Sequence, residues 1–244
     1  MLDQRAVDQW LGEFLTRLKN TFGDRLVFVG LHGSWARGEA KAESDIDITT
    51  VLDRVDPKNL RAFRNIIASM PNAKNLASGG LYSIVEKQAW PRFEGAQLFY
   101  EYKILYGTLD DIVKKPTPID LLEDVRFKSS SNLFVARHYL LYPHDLMKIV
   151  HKLYYPFKCC FFGLQSWILL CEGRFVAPKD DLIDVLTDVD DREVVRVARD
   201  WRQSEKDREK RPLYYIELLE RWSRKMLLRV QAYETTKRNE NRRT

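Results

Sequence analysis

The feature that most constrains this chain is a spacing: Gly33-Ser34, ten intervening residues, then Asp45-Ile46-Asp47. Strand side chains alternate faces, so Asp45 and Asp47 point one way while Ile46 and Ile48 point the other, into a core. Two carboxylates roughly 7 Å apart on one strand can converge on a single ion or bridge two. Oxygen-only ligation suits a hard cation, which normally also takes phosphates and waters. Alone, a D-x-D is an ordinary pair of solvent-facing aspartates.

The preceding segment changes that. Leu26 to Leu31 (LVFVGL) is a short apolar run rich in β-branched and aromatic residues, the composition of a buried strand. Gly33 and Ser34 then open a turn, and Trp35-Ala36-Arg37 starts a helix. Glycine lets backbone approach a ligand closely, and backbone N–H groups at a helix start favour anions. Ser34 adds a hydroxyl donor and Arg37 a charge suited to phosphate. Strand, Gly-Ser turn, short helix, loop and D-x-D strand together describe a site for a triphosphate and its metal.

The segment resembles the signature of the DNA polymerase β-like nucleotidyltransferase superfamily, especially the minimal and antibiotic nucleotidyltransferases. The motif covers about residues 26–52, and a looser likeness extends to Ile104-Leu105-Tyr106-Gly107. The resemblance implies a nucleoside triphosphate donor, ATP by default, with Mg²⁺ or Mn²⁺. It implies transfer of a nucleoside monophosphate to a hydroxyl of a small molecule, a protein or an RNA end, with release of pyrophosphate. Gly33 and Ser34 would hold the triphosphate; Asp45 and Asp47 would hold metal. Members usually add a third carboxylate on a later strand beside the first pair. Glu86, at the end of an expected strand over 81–87, is the first choice as metal ligand or general base, although the family's usual residue is Asp. Glu101, in an expected strand over 98–106, is second and Glu94 third. Without a third carboxylate the alternative is a non-catalytic nucleotide-binding or antitoxin-like module. Some relatives share an active site across a dimer, so a homodimer is an expectation of the same kind.

The chain has 244 residues, 45% hydrophobic and 31% charged, with net charge +5 and pI about 9.0. That is the composition of a globular protein. Its mild basicity is compatible with polyphosphate or nucleic acid and identifies neither. Cys159, Cys160 and Cys171 lack zinc-site spacing and read as reduced core residues of a cytoplasmic protein. The N-terminus lacks a signal-peptide core, and no 18-residue apolar stretch marks a membrane span.

The expected fold class is α+β. A mixed β-sheet with flanking helices occupies 1–113, and an α-helical bundle occupies 119–244, with Lys114-Lys115-Pro116-Thr117-Pro118 as linker. Val7, Trp10, Leu11, Phe14, Leu15 and Leu18 mark a helix over 3–22, which Gly23 ends. Residues 57–70 carry Leu60, Phe63, Ile66 and Ile67 on one stripe. Beyond Pro118, helices are expected over 119–142, 146–172 (broken at Pro156), 179–186, 192–202 and 212–233, followed by a frayed basic tail over 237–244. Such a bundle would form one wall of an acceptor pocket.

Arg137-His138 with His144 is faintly similar to the Arg–polar–His motif of HEPN ribonucleases. Pro143 breaks the helix that motif needs, so these histidines read as surface or interhelix residues. His32, beside the Gly-Ser turn, is a candidate for contact behind the nucleotide ligands. The aromatics from Tyr154 to Trp167 read as bundle core rather than as a stacking wall. Lys206 to Arg211 reads as a solvated helix face.

Overall fold

The computed structural model describes residues 3–41, 44–71, 77–110 and 112–241. The chain divides into two compact units, Met1–Pro116 and Thr117–Thr244.

In the first unit, α1 (Gln4–Phe22) begins at Asp3, whose carboxylate accepts the Ala6 N–H at 2.8 Å. Its buried stripe runs Val7, Trp10, Leu11, Phe14, Leu18, Phe22. A 3₁₀ turn (Gly23–Arg25) leads to β1 (Leu26–His32), then to the short helix α2 (Gly33–Arg37) and to β2 (Ile46–Leu52). Helix α3 (Pro57–Ser69) starts with proline and a reciprocal cap between Asp56 and Asn59. It crosses over to β3 (Ala77–Ser83), which pairs parallel with β2. Next come α4 (Ile84–Ala89), a 3₁₀ turn (Arg92–Gly95), α5 (Ala96–Glu101) and β4 (Lys103–Tyr106). The sheet order is β3-β2-β1-β4, with β1 antiparallel to both β2 and β4. The sheet is therefore mixed.

Two expected strands are shorter than their apolar runs. The segment 81–87 leaves the sheet at Ser83, because Ser83 and Glu86 form a capping box that nucleates α4. The segment 98–106 is helix up to Glu101 and strand only from Lys103. The loop expected between Pro71 and Gly80 lies partly outside the described residues, and β3 already includes Gly79 and Gly80.

The two faces of the sheet differ. Leu26, Val29, Leu31, Ile46, Ile48 and Leu52 bury against Trp10, Phe14, Phe63 and Ile66 of α1 and α3. The other face is ordered in rows by the strand register. Ser78, Asp47 and His32 pair across one row; Gly80, Thr49 and Gly30 across the next; Tyr82, Val51 and Phe28 across the third. Phe28 and Val51 pack with Ile112 and Val113, closing the third row as core.

In the second unit, Thr117 and Asp120 cap α6 (Pro118–Leu141) reciprocally. It is followed by α7 (Leu146–His151), α8 (Tyr154–Glu172), α9 (Lys179–Val185), α10 (Val189–Arg199), α11 (Glu205–Lys210) and α12 (Pro212–Asn241). The break expected at Pro156 falls earlier, at Lys152-Leu153. Pro156 sits in the first turn of α8, where its missing N–H removes no helical bond. Phe157, Phe161, Trp222 and Met226 are fully buried, whereas Tyr155 is largely exposed. Trp222 donates its indole N–H to Asp191 at 3.0 Å, and Arg229 pairs with the same carboxylate at 2.6 Å. Cys160 is buried, but Cys171 is exposed and so is not a core residue. The expected frayed tail is helical up to Asn241, and 242–244 lie outside the described residues. Among the described residues no helix is long and apolar enough to cross a membrane.

Candidate nucleotide and metal site

Gly33 opens α2 with φ +73°, a left-handed backbone that residues with a Cβ rarely adopt. A Cβ there would also collide with Oδ2 of Asp47. The Asp47 carboxylate therefore lies directly against the backbone of the Gly-Ser turn, as the pairing of His32 with Asp47 requires. Strand β2 holds Asp47 rigidly, because the residues on either side, Ile46 and Ile48, are locked in the core. Asp45 is exposed and immediately precedes β2. Its alternation with Ile46 places it on the Asp47 side.

Glu101 braces the turn. Its Oε1 accepts the Gly33 N–H at 2.5 Å and an Arg37 N–H at 2.6 Å, and Arg37 also pairs with Glu39 at 2.8 Å. The Arg37 and Glu101 side chains are both nearly buried. Arg37 is thus committed to two carboxylates and fixes the turn, rather than standing open to a phosphate as its sequence position suggested. Lys103 reaches the Trp35 carbonyl at 3.3 Å, which brings an exposed ammonium to the same turn. Its charge was invisible as a site signal, because β4 joins β1 only in the folded sheet.

Glu86 is not brought to the aspartates. Its carboxylate accepts the Ser83 N–H at 2.6 Å, which holds its pKa below the usual carboxylate range. Ser83 pairs with Leu52, five positions along β2 from Asp47, or roughly 16 Å. The residue beside Asp47 on β3 is Ser78, and β3 (ASGGLYS) contains no acid at all. Glu94 lies in the 3₁₀ turn Arg92–Gly95, which follows α4 in the chain. Among the described residues, the one group of three His, Cys, Asp or Glu whose ligand atoms cluster within 4.8 Å is His151, Glu205 and Glu209 in the second unit. Asp45 and Asp47 belong to no such group.

Two tyrosines floor the second row. A Cβ at Gly30 would stand 2.8 Å from the Tyr102 ring, and one at Gly80 would stand 2.5 Å from the Tyr82 hydroxyl. The rings lie over the two glycines on either side of Thr49, and Tyr102 donates its hydroxyl to Thr49 Oγ1 at 2.8 Å. Burial drives the Tyr102 pKa well above its ordinary value, so the phenol keeps its proton. His32 packs edge-on against Tyr102, with ring centroids 5.5 Å apart. A glycine inside an apolar strand, as Gly30 stands between Val29 and Leu31, is the trace such a ring leaves in sequence.

The oxygen donors at Asp45 and Asp47 fit a hard divalent cation whose remaining positions are filled by phosphate and water. They supply two protein ligands, not three. In the second unit, Arg137 pairs with Glu220 at 3.0 Å, and α6 ends at Leu141 before His144. The HEPN-like spacing therefore does not lie on one helix.

The family model described as "Nucleotidyltransferase domain" matches residues 11–132. A Methanocaldococcus jannaschii protein named "Putative protein adenylyltransferase" is 32% identical over 69 residues, 27% of this chain. This chain spans about half the length, 47%, of that relative. The fold is similar to that of spectinomycin adenyltransferase AAD(9) from Enterococcus faecialis, solved with ATP and spectinomycin. The TM-score is 0.56 at 14% identity, covering 89% of this chain and 99% of that one. With half of the chain matched by the family model, this protein belongs to the nucleotidyltransferase domain family, within the DNA polymerase β-like superfamily.

Proposed function

We propose that this protein transfers AMP from ATP to a hydroxyl of a small molecule or a protein, releasing pyrophosphate. The observation that supports this reading is the Asp47 carboxylate seated against Gly33 of the Gly-Ser turn, an arrangement in which one ion held by Asp47 would meet a phosphate held by the turn. Gly33 and Ser34 receive the triphosphate, and Asp45 and Asp47 hold the divalent ion. Bound there, the ion neutralises phosphate charge and lowers the pKa of an attacking hydroxyl. In the transfer, the acceptor oxygen bonds to the α-phosphorus, the α–β bridging P–O bond breaks, and pyrophosphate departs. The hydroxyl proton passes to a base. Glu101 and Arg37 keep the turn in its receiving conformation, and Tyr102 with Tyr82 bounds the space beside Asp47. Both names among the relatives, adenylyltransferase and adenyltransferase, agree with an adenylyl donor.

Ser78, standing where an acid would flank Asp47, favours a second reading: a module that binds nucleotide and turns it over slowly or not at all. One experiment separates the two. The protein is incubated with Mg²⁺, labelled NTPs and hydroxyl acceptors, beside an Asp47→Asn variant, while calorimetry follows ATP binding. Label transfer and pyrophosphate release that Asp47→Asn abolishes support the enzyme. ATP binding with neither product supports the module and overturns transfer.

A further inference from the structure

A second feature of the first unit lies outside the nucleotide site. A cavity of about 290 Å³ is lined by Lys87, Trp90, Arg92, Gly95, Val113 and Lys114, among others. That is room for several waters or one small ligand. Lys87 is the unusual member. It is only 5% exposed, on a helix of six residues. Its Nζ lies 3.6 Å from the Trp90 ring centroid and 5.2 Å from that of Tyr82, and the two rings meet edge to face. Buried ammonium groups are normally hydrogen-bonded or ion-paired. Among the described residues, Lys87 has these two ring faces and the nearby charge of Glu94, and no hydrogen-bond acceptor. Burial pulls its pKa down to about 8, against the raising effect of Glu94.

We propose that this cavity is a binding site for a small phosphoryl anion, anchored by the Lys87 ammonium and completed by Arg92 and Lys114. Three cations line it, and no Asp or Glu does so among the described lining residues. A concave wall carrying one sign of charge concentrates the opposite ion. Lysine offers a compact triple donor, and arginine a planar fork that matches phosphoryl oxygens. The indole and phenol rings exclude water from one side of the ammonium, so an anion arriving from the open side meets a poorly screened charge. The helix carrying Lys87 is set apart from the Gly-Ser turn, with the Tyr82 ring as a wall common to both. Helix α4 begins beside Ser83, the partner of Leu52, roughly 16 Å along the sheet from Asp47. The inference is independent of whether AMP transfer occurs. Two sources share this chemistry: inorganic phosphate or pyrophosphate, and the phosphate group of an organic metabolite.

The test uses the full chain with EDTA present, so that no metal-dependent binding contributes. Calorimetry measures inorganic phosphate, pyrophosphate, glycerol phosphate and acetate. The expected result is phosphoryl binding with acetate silent, weakened at least about tenfold in Lys87→Met. Asp47→Asn should leave it unchanged. The exposed Lys114→Gln, which cannot unfold the core, should weaken it by a smaller factor. Preference for glycerol phosphate over inorganic phosphate would assign the organic source, and the reverse preference the inorganic one. A second readout needs no variant: acylation of Lys87 near pH 8, followed by peptide mass spectrometry, should be suppressed by the bound anion. Binding that survives Lys87→Met in folded protein, binding lost in Asp47→Asn, or no phosphoryl binding at millimolar concentration would each overturn the proposal.

Discussion

At the scale of single residues, the site depends on Gly33. Its positive φ alone disfavours any side chain by roughly 1–2 kcal/mol. The larger effect is displacement, because an alanine methyl would occupy the space of the Asp47 carboxylate. If Asp47 holds the metal as proposed, misplacing it by an ångström costs on the order of 10²-fold in rate. Gly33→Ala should therefore lower kcat/KM by about two orders of magnitude or more, while the far-UV spectrum is retained. Steady-state kinetics on the folded variant checks this. Undiminished activity would mean that Asp47 and the turn do not act as one unit.

At the scale of elements, α4 decides what Glu86 does. Read as a strand end, Glu86 is a ligand; in the structure it closes a capping box with Ser83. Glutamine also serves at the third position of such a box. Glu86→Gln should then retain activity within a few-fold and barely change the melting temperature, whereas Ser83→Ala should lower it. A metal ligand would behave oppositely, with activity collapsing in Glu86→Gln at constant stability.

The same helix gives a pH signature. The ordinary lysine pKa of 10.5 applies to the unfolded chain, and about 8 to Lys87 in the fold. Below pH 8 the amine is charged in both states, and the fold bears the cost of burying it. Between about 8 and 10.5 the unfolded chain binds more protons, so stability rises with pH through this window. Denaturant titrations should show wild type gaining stability relative to Lys87→Met from pH 7.5 to 10. A constant difference would contradict this assignment.

At the scale of the whole molecule, each unit carries its own core. The second centres on Trp222, fully buried, with its indole bonded to Asp191. Residues 117–244 expressed alone should be helical and unfold cooperatively. Trp222→Ala should remove about 3–5 kcal/mol from that transition by leaving a cavity and taking the indole donor from the Asp191 carboxylate, which keeps Arg229. Circular dichroism melts of the fragment and of its variant give both results.

The sequence by itself determined the elements of the proposed donor half of this protein. The Gly-Ser turn, the D-x-D strand and the helical patterns of α1, α3 and the second unit all rest on local periodicity and turn chemistry. Those act over a few residues and are written in order along the chain. The tertiary structure alone decided the rest, because it depends on register between segments distant in sequence. Register put Ser78 rather than an acid beside Asp47. The packing of α5 against α2 brought Glu101 under Gly33, 68 residues away. Three rings, of Phe28, Tyr102 and Tyr82, folding over Gly30 and Gly80 made a floor from residues that read separately as core or loop. For Glu86 a local signal was present in Ser83-x-x-Glu86, but the apolar run around it also fitted a strand. Capping ended the sheet at Ser83, because satisfying the first backbone donors of a helix there outweighed one more pair of sheet bonds.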